Sequence, residues 1–497
     1  MSQGVDAPVS RVGRVGLAPG PALRRAPPAS PRPRSMMRNA RSAADYERAD
    51  LDDRLSSAGS SCSNSSSACR TTRPLWRRLL STIGPGLMTC MADTDGPCLI
   101  TAALSGAQWR YSLLLLQIGL VPILFIAQEL AVRLGIVRRL GMTAILRADF
   151  GPAVAWCVSI PLLAACVLGL VSEFCVIGQT MALWGVRVWQ SNALVAVTLL
   201  VVVSTGSYPV VERVGLAMGM CQVAFLFTMV MAGPKAHDVL HDSLNFPLRE
   251  RDFVELVTAN IGAVIMPWML AYQQSAVCNK GIGEEESDQL LLARLDTGFG
   301  CVMTQVIMAA MLVTTAAVTS EGGGPAQRIG TVQDLFVVFV QVMGGEFAAR
   351  LLLTFAMIGA CMVAAIVQTL CAAWTLEQAL GSSTATLEPV DKGFGSGLSA
   401  IASNLQKHPA FYISYVVVCS GAFVFSSVVD EVVDLSVFTE FCNGVLMPLV
   451  IFSLWYLSAY RLPEEHRLQG ASRWIVFIIF LVCSVFCVGS VFFSFRG

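Results

Sequence analysis

Of the 497 residues, 55% are hydrophobic and only 14% are charged, against roughly 25% charged in a soluble domain. Mean hydropathy is +0.63, which excludes an ordinary globular enzyme and points to a polytopic membrane protein. The 34 Lys and Arg balance 34 Asp and Glu, so no affinity for nucleic acid or another polyanion is implied.

Residues 1–74 are rich in Arg, Ser, Pro and Ala and lack apolar periodicity. They read as a disordered tail without a secretory signal. Residues 75–497 read as the transmembrane domain. Its apolar stretches of membrane length fall near 76–107, 111–136, 154–184, 190–207, 210–232, 253–277, 289–319, 346–380, 409–429, 432–459 and 472–494. That makes an all-α protein of eleven spans. The tail arginines, with Arg77 and Arg78 beside the first span, predict a cytosolic N-terminus. Arg138, Arg139 and Arg147 then follow span two on the same side, and Arg461, Arg467 and Arg473 follow span ten. Residues Thr331 to Gly344 look amphipathic, as a surface helix would. His237, His241, His408 and His466 all fall between spans. His237 and His241 would form a metal-collecting pair only if their segment were helical. Most of the sixteen cysteines lie within apolar spans, where a thiol is a small buried hydrophobe.

Span one holds Gly84-Pro-Gly-Leu-Met-Thr-Cys-Met-Ala-Asp-Thr-Asp-Gly-Pro-Cys, which puts Asp93 and Asp95 at membrane depth beside Gly96 and Pro97. A carboxylate there costs at least about 2.5–3.5 kcal/mol, and Gly with Pro interrupts a helix. Span six repeats the design, with Pro267 in the middle of Gly262-Ala-Val-Ile-Met-Pro. A proline leaves the carbonyl four residues back unbonded. By that count Pro97 frees Asp93 and Pro267 frees Ala263. Broken first and sixth helices, five spans apart, are what an inverted five-helix repeat predicts, with substrate held between the breaks.

If the breaks face each other, they offer Asp95, Cys98, Met266 and the Ala263 carbonyl, with Asp93 as a further acid or an entrance group. Carboxylate and carbonyl oxygens suit hard cations, and sulfur adds preference for softer transition metals. Glu173 in span three and Glu440 in span ten, the latter sharing a face with Asn443, are candidates for a proton or ion pathway. Gln273 joins them as a polar group in span six. Glu129 and Arg133, four apart, are expected to form a structural ion pair.

These residues resemble the natural resistance-associated macrophage protein (Nramp) family of divalent-metal transporters. Gly84-Pro-Gly, Asp95-Gly-Pro-Cys, Ser105-Gly-Ala-Gln, Tyr111-Ser-Leu-Leu and Leu134-Gly-Ile-Val are similar to its first two spans, and Gly262-Ala-Val-Ile-Met-Pro to its sixth. The resemblance implies a leucine-transporter-type fold and proton-coupled uptake of manganese or ferrous iron into the cytosol, with the metal as substrate and no cofactor. It maps the family's first-span ligands onto Asp95 and Cys98, and its sixth-span ligands onto Ala263 and Met266. The family's Asp-Pro-Gly-Asn has become Asp-Gly-Pro-Cys, and its histidine after Met-Pro is Trp268. Magnesium is the alternative cargo in the same fold, and an organic solute a more distant one. An intramembrane aspartyl enzyme is disfavoured, because two acids two apart on one helix do not face each other. The plasma membrane and an acidic endomembrane compartment are the expected locations.

Overall fold

The computed structural model describes residues 84–204, 208–281, 289–321, 329–381, 406, 408–429 and 431–495. The predicted tail, residues 1–74, lies outside them. The described residues belong to the second of the two units into which the chain divides, Thr72–Gly497.

Every regular element among the described residues is helical. Span one is two half-helices, α1 (Pro85–Asp93) and α2 (Gly96–Trp109). Span two is α3 (Leu114–Arg138), and the short α4 (Met142–Phe150) leads to span three, α5 (Pro152–Ala182). Span four is α6 (Val188–Ser204). Span five comprises α7 (Tyr208–Gly219) and α8 (Ala224–Ala232), joined by a 3-10 segment, Met220–Val223. A surface helix, α9 (Ala236–Ser243), precedes the second broken span, α10 (Arg251–Val264) and α11 (Pro267–Lys280). Span seven is α12 (Gln289–Glu321), and α13 (Val332–Met343) is a further surface helix. The last four spans are α14 (Glu346–Leu380), α15 (Pro409–Ser426), α16 (Val432–Tyr460) and α17 (Gly470–Phe495).

Among the described residues, nine helices are long and apolar enough to cross a bilayer. The broken span one and the 17-residue α6 bring the set to the eleven spans of the sequence. The burial pattern is that of a bundle in lipid. Large apolar side chains such as Ile160, Leu194, Phe355 and Val417 are exposed around the outside, while polar groups such as Gln128, Glu173, Asn260 and Glu440 are fully buried. A bilayer reverses the usual distribution because lipid is the apolar solvent.

The half-helices pair crosswise. α1 packs on α11 and α2 packs on α10, with α12 running past both halves of span one. α16 lies along α10, and α14 along α5. Gly262 is needed for the α10–α16 contact. A Cβ there would meet the Glu440 carbonyl, and would stand 2.5 Å from the Gly444 nitrogen.

Ion pairs join segments that the alternating topology puts on one side. Arg133 and Arg294 both reach Glu129 (2.5 and 2.8 Å), Arg138 reaches Asp149 (3.0 Å), and Lys280 reaches Glu212 (2.9 Å). Asp296 accepts hydrogen bonds from the Gly84 and Gly86 amides (3.2 and 2.8 Å), which ties the start of α1 to span seven. On the opposite side Arg110 pairs with Asp242 at 3.2 Å. One expectation changes and one is met. His237 and His241 lie on the helix α9 rather than in a loop, because Lys235 opens a turn that Asp238 stabilises at its N-terminal end. Thr331 to Gly344 is a true helix, fixed by a capping box between Thr331 and Asp334.

Replacing Gly262 with Leu is expected to force α10 and α16 apart. Overpacking of this kind costs about 1–3 kcal/mol or more, so a lowered midpoint of thermal unfolding in detergent is the expected readout. Gly421, whose Cβ would meet nothing within 4 Å, is the matched control.

Candidate metal site

At the first break α1 stops at Asp93, Thr94 leaves helical geometry (φ −92°, ψ 62°), and Asp95 is extended (φ −81°, ψ 179°). Pro97 sits in the first turn of α2, where its missing N–H is not needed. The proline therefore starts a new helix instead of kinking an old one. Asp95 is the N-cap of α2, accepting from the Cys98 amide at 2.8 Å through Oδ1. The second break repeats this: Met266 is extended (φ −79°, ψ 134°) and Pro267 opens α11. Carbonyls at the ends of α1 and α10 lose their helical partners. The Gln222 side chain donates to Met91 O at 2.7 Å, and the Cys98 thiol to Ala263 O at 3.3 Å.

That last contact brings the breaks together. Asp95, Cys98 and Glu440 each offer a ligand atom, and these atoms lie within 4.8 Å of one another. All three residues are buried. Ala263 O adds an oxygen at the cysteine. Met266 is fully buried at the same break, with no hydrogen bond from its side chain to the first turn of α11. Glu440 accepts from Asn443 through Oε2 at 3.1 Å, while its Oε1 has no hydrogen-bond partner among the described residues.

Glu173 reaches the site from span three. Its Oε2 accepts from the Gly96 amide at 3.3 Å, and its Oε1 lies 3.5 Å from the Gln368 amide nitrogen. Both Glu173 and Glu440 are close enough to Asp95 for direct charge interaction. Asp93 is buried beside them, with neither carboxylate oxygen hydrogen-bonded among the described residues, although the Thr304 hydroxyl stands nearby. Four carboxyl groups thus share a low-dielectric interior. None forms an ion pair with Lys, Arg or His among the described residues. Buried charge is normally paired or bound to metal, so this arrangement is chemically suited to a divalent cation.

Sequence reasoning expected Glu440 in a pathway, whereas the structure groups it with Asp95 and Cys98. The available signal was an acid in mid-span with no basic residue three or four positions away. Gln273 lies elsewhere, 3.4 Å from Gln128 Oε1 and 3.3 Å from the Thr297 hydroxyl. Glu129 is the structural ion-pair partner that its spacing predicted.

Two broken helices packed crosswise, with carboxylates, sulfur and a carbonyl meeting at the breaks, define a leucine-transporter-type membrane fold. The family profile described as natural resistance-associated macrophage protein-like matches residues 86–492, and the chain belongs to that family. Similar curated proteins include divalent metal cation transporters MntH. The one from Bradyrhizobium diazoefficiens is 28% identical over 52% of this chain and 60% of its own length. The one from Ralstonia nicotianae is 27% identical over 56% and 64%. The matched stretch thus covers less than two thirds of these relatives. In fold, the chain is similar to the Eremococcus coleocola manganese transporter (TM-score 0.61, 15% identity, 86% of this chain and 90% of that one). It is also similar to MhsT in complex with L-phenylalanine (TM-score 0.50, 13% identity, 81% and 97%).

Glu440→Gln keeps the side-chain shape and removes one charge from the cluster. Divalent-cation binding by titration calorimetry is expected to weaken tenfold or more, about 1.4 kcal/mol. Unchanged affinity would detach span ten from the site.

Proposed function

We propose that this chain is a secondary transporter carrying manganese(II) or iron(II) toward the cytosol, coupled to protons. The observation that carries the reading is the meeting of Asp95, Cys98 and Glu440 ligand atoms within 4.8 Å at two facing helix breaks. The proposed ligand set is Asp95, Cys98, Glu440, Met266 and the Ala263 carbonyl, which mixes hard oxygen with softer sulfur. Such a mixture suits first-row divalent ions better than calcium or magnesium. The names of the relatives, which are divalent metal cation and manganese transporters, support the same cargo class.

Glu173 is the proposed proton carrier, since it touches the break through the Gly96 amide and stands on a different helix from the ligands. Asp93 is proposed as an entrance acid. Gln273, bonded to Gln128 and Thr297, is proposed to hold spans six, two and seven together. Magnesium is the second reading, and the number of buried carboxyls favours it, because magnesium keeps its waters and binds through acids. The location, whether plasma membrane or an acidic compartment, follows the direction of the proton gradient in this reading.

The test is uptake into proteoliposomes. Asp95→Ala is expected to abolish manganese uptake. Met266→Ala is expected to retain part of it while letting excess magnesium compete, which the wild-type protein resists. Uptake indifferent to both substitutions would remove the site from the transport path. Magnesium competing equally well in the wild-type protein would favour the second reading.

A further inference from the structure

A second cluster of metal-binding atoms lies on the α1 side of the break. Cys90 Sγ of α1 and Cys301 Sγ of α12 are 3.9 Å apart. Both stand on the Gln128 side-chain oxygen from α3, at 3.1 and 3.6 Å. Met269 of α11 approaches from the fourth helix, its Sδ 3.2 Å from the Gln128 side-chain nitrogen. Cys90 is also 3.9 Å from the Thr297 carbonyl. Cys90, Cys301, Gln128 and Met269 are all fully buried, and both thiols are free.

The spacing can be compared with a coordination shell. Two sulfurs held about 2.3 Å from a tetrahedral ion stand roughly 3.8 Å apart, and a sulfur and an oxygen roughly 3.6 Å apart. The observed triangle, 3.9, 3.1 and 3.6 Å, is close to one face of that tetrahedron without any backbone shift. The donors are soft, which favours zinc-like and cadmium-like ions over manganese. Hydrogen bonding alone explains the cluster less fully. Gln128 Oε1 already receives the Gln273 amide at 3.4 Å, so two thiols crowd an acceptor that has a donor.

We propose that Cys90, Cys301 and the Gln128 side-chain oxygen form a second cation site selective for soft d10 ions. On binding, each thiol gives its proton to water and the ion is held by two thiolates. Cys90 is three residues from Asp93, about 4.5 Å along the helix, so an ion leaving the break on the α1 side meets this cluster next. Its three donors come from α1, α3 and α12, and an ion bound there ties α1 to the two helices beside it. Manganese, with weaker affinity for thiolate, is held there less tightly than cadmium.

The test is cadmium titration of the purified full-length protein, followed by the sulfur-to-cadmium charge-transfer absorption in the ultraviolet. The Cys90→Ser, Cys301→Ser double variant is expected to lose part of that band and to bind cadmium at least tenfold more weakly, with manganese affinity within twofold of wild type. Cys98→Ser serves as comparison for the site at the break. A band unchanged in the double variant, or one lost only in Cys98→Ser, overturns the proposal. Should the double variant fail to fold, Cys301→Ala alone carries the same test: a smaller band supports the site and an unchanged one removes it. Failure here leaves the manganese reading standing, because that reading is tested through Asp95 and Met266.

Discussion

The structure depends on a single electrostatic constraint: four carboxyl groups, Asp93, Asp95, Glu173 and Glu440, are buried together with no basic partner among the described residues. In water such a group would simply be solvated. In a bilayer interior it is tolerated only where helices surround it and something positive completes it. The breaks supply the remainder. At each, one half-helix ends with free carbonyls and another begins with free amides, so both signs of partial charge are available within a few ångströms. Asp95 uses the amide end of α2 for its own fixing.

That constraint accounts for the scaffold. The glycine at position 262 allows α10 and α16 to touch backbone to backbone, which is how an acid from span ten reaches a break in span six. Gly96 plays the corresponding part in span one. A Cβ there would stand 2.5 Å from the Cys361 sulfur and 3.1 Å from a Glu173 oxygen, so the acid could not approach the amide it bonds. At the ends of the bundle, charged groups pair with one another and leave the middle to the site.

Much of this was legible in the chain. Span number and order follow from apolar length, and the breaks from Pro97 and Pro267. Asp95, Cys98 and Ala263 follow from where those prolines lie. What the sequence concealed is long-range. Nothing near Glu440 shows that it meets Asp95, because that contact is made by the packing of α16 against α2 and α10 and not by any spacing within span ten. The cluster of Cys90, Gln128, Met269 and Cys301 draws one residue from each of four helices, so no window of sequence contains it. The helix carrying His237 and His241 was missed because it is only eight residues long, with three apolar side chains, Ala236, Val239 and Leu240, too few to mark a helical face.

The Gly262 contact has a mechanical side. Because α10 and α16 meet at backbone atoms, the Ala263 carbonyl and the Glu440 side chain are mounted on one stiff block, with no flexible side chains between them to absorb displacement. Asp95 and Cys98 are mounted together on another, the first turn of α2. The polar groups at the break thus behave as two jaws of two donors each. Any shear between the jaws moves two donors at once, so the spacing of the four groups changes in one concerted step and not one side chain at a time.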